Sequence, residues 1–373
     1  MKNIAFIFGT RPEVIKLAPV ILELQKYPEL YRVLIINTEQ QKELSNQTLN
    51  YFGLTSDYNL DAMRENQSLA EVQSRILQSL GDIYKKEQID ATIVQGDTMT
   101  VFCGALTSFY NKIPVFHVEA GLRSYDKFEP FPEEMIRQMV SRITDLHFAP
   151  TDVNKEALIK ENIEPSIIHT VGNTVIDALS CLSEKTIEDS RLFFEDKGVN
   201  TEKLVLITAH RRENHGERLD NILRAIDYLV NTYKDFTFVI PVHPNPNVKS
   251  KIESALIKYS NVKLLPPLDY PCLVYLMKNA HLILTDSGGI QEEAPTFACP
   301  TLVLRYETER KEGIEAGVST LVGADYEKIV ELSSAILSKS KQATRLAVTN
   351  PYGNGKSAIL IEELIRKYFK INR

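Results

Sequence analysis

Short apolar runs alternate with longer stretches of helical period along nearly the whole chain. NIAFIF, YRVLIIN, DATIVQ, IPVFHV, DLHFAP and SIIHTV occupy the first half, and KLVLITA, FTFVIPV, NVKLLP, HLILTD, PTLVLR and STLVGA the second. Runs that are apolar at consecutive positions need cover on both faces, which marks parallel strands lying between helices. The intervening stretches supply that cover: Val14, Leu17, Ile21 and Leu24, for example, recur at helical spacing on one face. Twelve strands are too many for one sheet of this kind. The pattern therefore predicts an α/β protein with two Rossmann-like, doubly wound parallel-sheet domains. The local order repeats as well. TIVQGDTMTVFCGALTSFYNKIPVFHVEAG and LILTDSGGIQEEAPTFACPTLVLRYETER each run strand, Gly/Asp turn, helix, proline, strand, glutamate. The expected boundaries are 1–170 and 171–355, with a final helical segment at about 356–373 packing back on the first domain.

Composition narrows the class. The chain has 373 residues, 43% of them hydrophobic and 25% charged, as in a soluble globular protein of about two domains. A net charge of −6 without a basic stripe argues against nucleic-acid binding by phosphate neutralisation. Cys103, Cys181, Cys272 and Cys299 are scattered, which reads as reduced thiols in a cytoplasmic protein. The apolar stretch in MKNIAFIFGTRPE is too short for a signal peptide, and no run approaches the ~18 residues of a membrane span.

Candidate chemistry gathers where strands end. In FGTRPEVIKLAPVI, Thr10 and Glu13 have capping-box spacing and Pro12 suits a first turn. Arg11 and Lys16 then add positive charge at a helix mouth that already favours anions. In LTDSGGIQEEAP, Ser287, Gly288 and Gly289 open a helix where backbone amides can approach a phosphate, with Glu292 and Glu293 one turn further in, placed for sugar hydroxyls. Asp97 in VQGDT and Glu119 in HVEAG end strands, a costly place for an idle carboxylate. Glu133 and Glu134 stand in a PEE helix start, where acids are common for dipole reasons alone. Asp126 and Glu129 read as loop surface. His210 closes a strand in AHRRENHGE with Arg211, Arg212 and Glu213 behind it; His243 in VHPNPNV reads as structural or regulatory. YGNGKS lacks the first glycine of a P-loop, no GxGxxG opens a helix after a strand, and HExxH is absent, so neither a tightly held NAD nor a metal is expected.

Taken in order, GTRPEVIKLAPVI, QGDT, HVEAGLRS, PEE, GNTVIDAL, AHRRENHGE, VHPNPNV, LTDSGGIQEEAP and NPYGNG span residue 9 to about 355. The set resembles the non-hydrolysing UDP-N-acetylglucosamine 2-epimerases. The resemblance implies two domains facing a cleft as in GT-B glycosyltransferases, a UDP-sugar substrate, a homodimer and reversible interconversion of UDP-GlcNAc and UDP-ManNAc for surface polysaccharide.

That chemistry sets two demands. The C2 proton lies next to no carbonyl, so UDP must leave, a base must take the C2 proton, and UDP must add back after the proton returns on the other face. Cations are needed at the diphosphate and carboxylates at C1 and C2. Arg11 and the Ser287, Gly288 and Gly289 amides suit the first demand, and by family analogy so do Lys16, Arg137 and Arg310. Asp97, Glu119 and Glu133 suit the second. His210, from the other domain, is placed to stabilise leaving UDP or carry a proton, and Glu293 matches the family position that holds the ribose. No cofactor is implied.

The chain departs from the family pattern at Gln41, Glu43 and Asn66, which fall in the regulatory UDP-GlcNAc site of bacterial members. Leu268, Leu273, Tyr306 and Lys311 depart near the base pocket, which admits a modified UDP-HexNAc. A GT-B-type glycosyltransferase and a non-catalytic nucleotide-sugar sensor are the competing readings.

Overall fold

Each of the twelve apolar runs contains a strand. They are β1 (Lys2–Phe8), β2 (Tyr31–Asn37), β4 (Ala91–Gln95), β5 (Val115–Val118), β6 (Leu146–Ala149) and β7 (Ile168–Thr170), then β8 (Leu204–Thr208), β9 (Thr237–Pro241), β10 (Val262–Leu265), β11 (Leu282–Thr285), β12 (Thr301–Val303) and β13 (Ser319–Leu321). The additional β3 (Tyr58–Asn59) is two residues long and has no apolar run to announce it. These elements come from a computed structural model that describes residues 1–243, 245–345 and 349–371. Pro244 of VHPNPNV, Val348 before the NPYGNG motif, and the last two positions of segment 356–373 lie outside the described residues.

The chain divides into two units, Met1–Cys181 with Tyr352–Arg373, and Leu182–Pro351. The first holds a sheet in the order β3-β2-β1-β4-β5-β6-β7 and the second a sheet in the order β10-β9-β8-β11-β12-β13. The strand pairs are parallel throughout. In each unit the winding reverses beside the first strand, between β1 and β4 and between β8 and β11. Loops from neighbouring strands part there, leaving the crevice in which open α/β sheets take ligands.

Both faces of each sheet are covered. Ala5, Ile7, Leu34, Ile36 and Val94 pack with Val72, Ile76, Leu80 and Val101 from the helices, while Ile4, Phe6 and Phe8 are buried on the opposite face. In the second unit Val205, Ile207, Phe238, Ile240 and Leu284 pack with Leu219, Ile222, Ile226 and Leu229. Hydrophobic burial of this extent is the main stabilising term.

The terminal helix Ser357–Tyr368 belongs to the first unit, and the GNTVIDAL motif holds it there. Asn173 N–H donates to the Tyr352 carbonyl (2.7 Å), and the Asp177 carboxylate accepts from Ala358 N–H at the helix start (2.9 Å). Gly172 (φ +90°) has Ser357 Oγ 2.7 Å from where a Cβ would sit, so neither a side chain nor ordinary L-residue geometry fits. Tyr31 Oη donates to Glu362 (3.0 Å), and Phe116 meets Tyr368 edge to face.

Two buried histidines stand side by side in this unit, His117 on β5 in register with His147 on β6. Burial lowers His117 to about 4 and His147 to about 3, so both are neutral at physiological pH. The unfolded chain binds these protons near pH 6.5, so the folded state loses stability as pH falls below that value toward 4. The unfolding free energy read from urea titrations is expected to drop between pH 6.5 and 5 by on the order of 2 kcal/mol for each histidine. His147→Leu should flatten that slope; a slope unchanged in the variant would remove His147 as a cause.

Candidate active site

Strand register brings the first unit's candidates together. Phe6 of β1 pairs with Ile93 of β4, and Gln95 of β4 pairs with Val118 of β5. The residues just past these strands, Thr10–Arg11, Asp97 and Glu119, therefore sit at three adjacent strand ends around the switch point. Their turns are fixed by buried groups. His117 Nε2–H donates to the Gly96 carbonyl (2.7 Å), and Thr98 Oγ1–H donates to Glu13 (2.5 Å). Gly96 takes φ +82°, a conformation that glycine adopts without strain.

Each acid meets a cation that sequence reading had assigned to substrate. Arg137 reaches Asp97 Oδ2 through Nε (2.7 Å) and Nη2 (2.6 Å). Lys16 Nζ pairs with Glu119, whose other oxygen accepts from Gln95 Nε2. Glu119 is a non-glycine residue at φ +63°, a backbone strain of the sort that collects at functional sites. Glu133 opens helix Glu133–Arg142, half-buried, and its carboxylate has no hydrogen-bond partner among the described residues. Asp126 and Glu129 are exposed.

Glu134 resolves differently from Glu133. Its carboxylate is fully buried and accepts from Ser124 N–H (2.9 Å), Tyr125 N–H (3.3 Å), Gln138 Nε2 (2.8 Å) and Arg137 Nη1 (3.3 Å). Burial works against its charge, but these donors outweigh burial and hold the carboxyl below the ordinary range. It braces Arg137 and the loop after Glu119. Arg123 pins the same loop, paired with Glu161 through Nε (2.6 Å) and Nη2 (2.9 Å) and bonded to Ser141 Oγ (2.8 Å).

The helix mouth at Arg11 needs a correction. Gly9 and Thr10 N–H groups both donate to Glu13 Oε2 (2.8 Å each), and Arg11 N–H donates to Gln41 Oε1 (3.0 Å). Those amides are occupied within the chain, so any anion affinity here rests on the Arg11 side chain. Gln41, read as a regulatory position, caps this helix.

In the second unit β8 and β11 flank the switch point, and Thr208 pairs with Thr285. His210 and the Asp286–Gly289 turn are thus neighbours. Ser287 N–H is already bonded to Thr285 Oγ1 (3.0 Å), which removes it from the amides expected to face a phosphate. Gly288 and Gly289 N–H groups have no partner among the described residues. Arg310 lies over Gly288: a Cβ there would sit 2.9 Å from its Cζ. Glu292, expected near sugar hydroxyls, is buried and accepts from Arg310 Nε (3.0 Å). Arg310 also reaches Glu309 (3.1 Å), which Arg305 shares (3.0 Å). Burial opposes the charge on Glu309, yet Arg305 and Arg310 outweigh it and hold the carboxyl down to about 2. The Glu293 carboxylate is buried beside Gly289. His210 Nδ1 lies 3.2 Å from Asp286 Oδ1, and its ring stacks on His243 with centroids 5.9 Å apart. Sequence reading named neither Asp286 nor Glu134 as a member of the site.

Chemically, the first unit offers carboxylates held against cations, suited to proton transfer beside developing charge. The second offers glycine amides, a guanidinium and an imidazole, suited to a leaving phosphate. A family model described as UDP-N-acetylglucosamine 2-epimerase matches residues 23–366. The UDP-N-acetylglucosamine 2-epimerase of Neisseria meningitidis serogroup A is 44% identical over 370 residues, covering 97% of this chain and 98% of the relative. That of Bacillus subtilis is 43% identical over 364 residues, covering 97% and 94%. The crystal structure of the N. meningitidis UDP-GlcNAc 2-epimerase bound to UDP-GlcNAc superimposes with a TM-score of 0.86 at 42% identity, covering 98% of this chain and all of that one.

Proposed function

The chain belongs to the UDP-N-acetylglucosamine 2-epimerase family, and from that premise we propose that it interconverts UDP-GlcNAc and UDP-ManNAc by eliminating UDP and adding it back. The C1–O bond breaks toward the diphosphate, a carboxylate takes the C2 proton, and the unsaturated C1–C2 sugar remains. A proton then returns to C2 on the opposite face, and the diphosphate oxygen re-forms its bond to C1. The observation that carries this reading is the pair of acids, Asp97 with Arg137 and Glu119 with Lys16, at the first unit's switch point. Sugar transfer to an acceptor has no use for a C2 base, which disfavours the glycosyltransferase reading.

Asp97, Glu119 and Glu133 are assigned to the sugar, and their cations Arg137 and Lys16, with Arg11, to charge developing as UDP leaves. Arg310, the Gly288 and Gly289 amides and His210 are assigned to the diphosphate, and Glu293 to the ribose. We assign the product to ManNAc-containing surface polysaccharide and the enzyme to the cytoplasm, in keeping with its four free cysteines. The assigned working form is a homodimer. The adjoining helices 99–110 and 133–142 expose Phe109, Tyr110, Met135 and Met139, apolar surface that a second copy would cover. Light scattering at twice the monomer mass tests this, and a monomer at micromolar concentration sinks it.

Proton NMR of the protein with UDP-GlcNAc in deuterium oxide tests the reaction. UDP-ManNAc carrying deuterium at C2 is the expected product. Folded protein that leaves C2 unexchanged overturns the proposal, and UDP release that requires an acceptor sugar would establish the transferase instead.

Gly288→Ala tests the diphosphate assignment. The new methyl displaces Arg310 and crowds the phosphate, so KM should rise about ten-fold, roughly 1.4 kcal/mol of lost binding, with kcat changed less. An unchanged KM would place the diphosphate elsewhere.

A further inference from the structure

We propose that Asp286 is a positioning residue for His210: it holds the imidazole proton on Nδ1 and so makes Nε2 the nitrogen that exchanges a proton with the diphosphate. The inference rests on the assignment of His210 above and goes beyond it.

The two oxygens of Asp286 have separate work. Oδ2 accepts from His210 N–H (2.9 Å), Arg211 N–H (2.9 Å) and Asn214 Nδ2 (3.0 Å). Those bonds fix the chain leaving β8, and the Asp286 backbone is itself fixed by donating to the Thr208 carbonyl (3.1 Å). Oδ1 takes none of these donors and has no hydrogen bond among the described residues. The Asp286 side chain has no exposed surface, so that oxygen is out of reach of bulk solvent. His210 Nδ1 lies 3.2 Å from Oδ1. A buried carboxylate oxygen beside a ring nitrogen is attractive only when that nitrogen carries the proton; two lone pairs facing each other there would repel. The His243 ring lies nearly parallel to the imidazole at 10°, with centroids 5.9 Å apart. The proposal gives the proton exchange to the far nitrogen, Nε2, and the carboxylate favours the imidazolium that Nε2 needs in order to donate.

Asp286→Asn separates this role from simple bracing. The amide oxygen can keep the three donors on Oδ2, while its NH2 group is turned toward Nδ1. His210 is then driven to the tautomer with the proton on Nε2 and cannot be stabilised as imidazolium. Nitrogen-15 NMR of histidine-labelled protein, with His210 identified by the signals lost in His210→Gln, is expected to show protonated Nδ1 in the wild type and protonated Nε2 in Asp286→Asn. kcat for UDP-GlcNAc should fall about 10²-fold or more, with UDP affinity within roughly three-fold. In the wild type, a neutral His210 ring protonated at Nε2 alone overturns the proposal, whether or not Asp286→Asn folds. So does an Asp286→Asn protein whose tautomer and kcat are both unchanged. Full activity in His210→Gln would instead overturn the assignment of His210, while the tautomer measurement would still read the role of Asp286.

Discussion

Asp97→Asn is expected to lower kcat by about 10²–10⁴-fold while leaving UDP affinity within roughly three-fold. Asparagine keeps the shape of the side chain and an oxygen for Arg137 but has no basicity, so it cannot receive a proton from C2. The Asp97 side chain is one-quarter exposed, which leaves it open to a ligand even with Arg137 on Oδ2. Arg137 stays anchored in the variant because Glu134 also holds it. Stopped reactions in deuterium oxide would read the chemistry, and calorimetry with UDP the binding. Activity within ten-fold of the wild type would remove Asp97 from proton transfer. Loss of UDP binding alongside kcat would make the Asp97–Arg137 pair a strut of the binding site instead.

Much of this was legible in the sequence because strand ends are legible. An apolar run shows where a parallel strand stops, and the polar residue that follows, such as Asp97, Glu119, His210 or Ser287, is placed at the sheet edge where ligands bind. The pairing of those residues was harder to see. Lys16 and Arg137 lie far from Glu119 and Asp97 in sequence, and strand order alone decides that they meet. Asp286 was in view as the residue after the HLILT run of β11, yet its role depends on register: Thr208 opposite Thr285 brings His210 beside it. The helix mouth misled for a local reason. Glu13, the ordinary third residue of a capping box, turns its carboxylate back onto the amides that an anion would use. GNTVIDAL entered only as one motif of the family resemblance, and its Asn173 and Asp177 dock the terminal helix.

Glu134 shows how far an acid that touches no reacting atom can matter, and Glu134→Ala is expected to destabilise the fold by about 3 kcal/mol. The substitution removes one acceptor group and strands four donors at once: the Ser124 and Tyr125 amides, the Gln138 side chain and one arm of Arg137. The two backbone amides cannot turn to solvent without unravelling the loop that follows Glu119, while the half-buried Gln138 and Arg137 side chains must be rearranged. Arg137 then depends on Asp97 alone, so kcat should fall about ten-fold in protein that remains folded. Glu134→Gln keeps one good acceptor and should lie between the two. The pH dependence follows from the depressed carboxyl: stability from Glu134 is complete above the ordinary carboxylate range near 4.5 and is lost as pH falls through its lower folded value. Urea midpoints of wild type and Glu134→Ala should therefore differ widely at pH 7 and converge in acid. A difference that persists undiminished there would mean that the packing of the side chain, and not its charge, holds the loop.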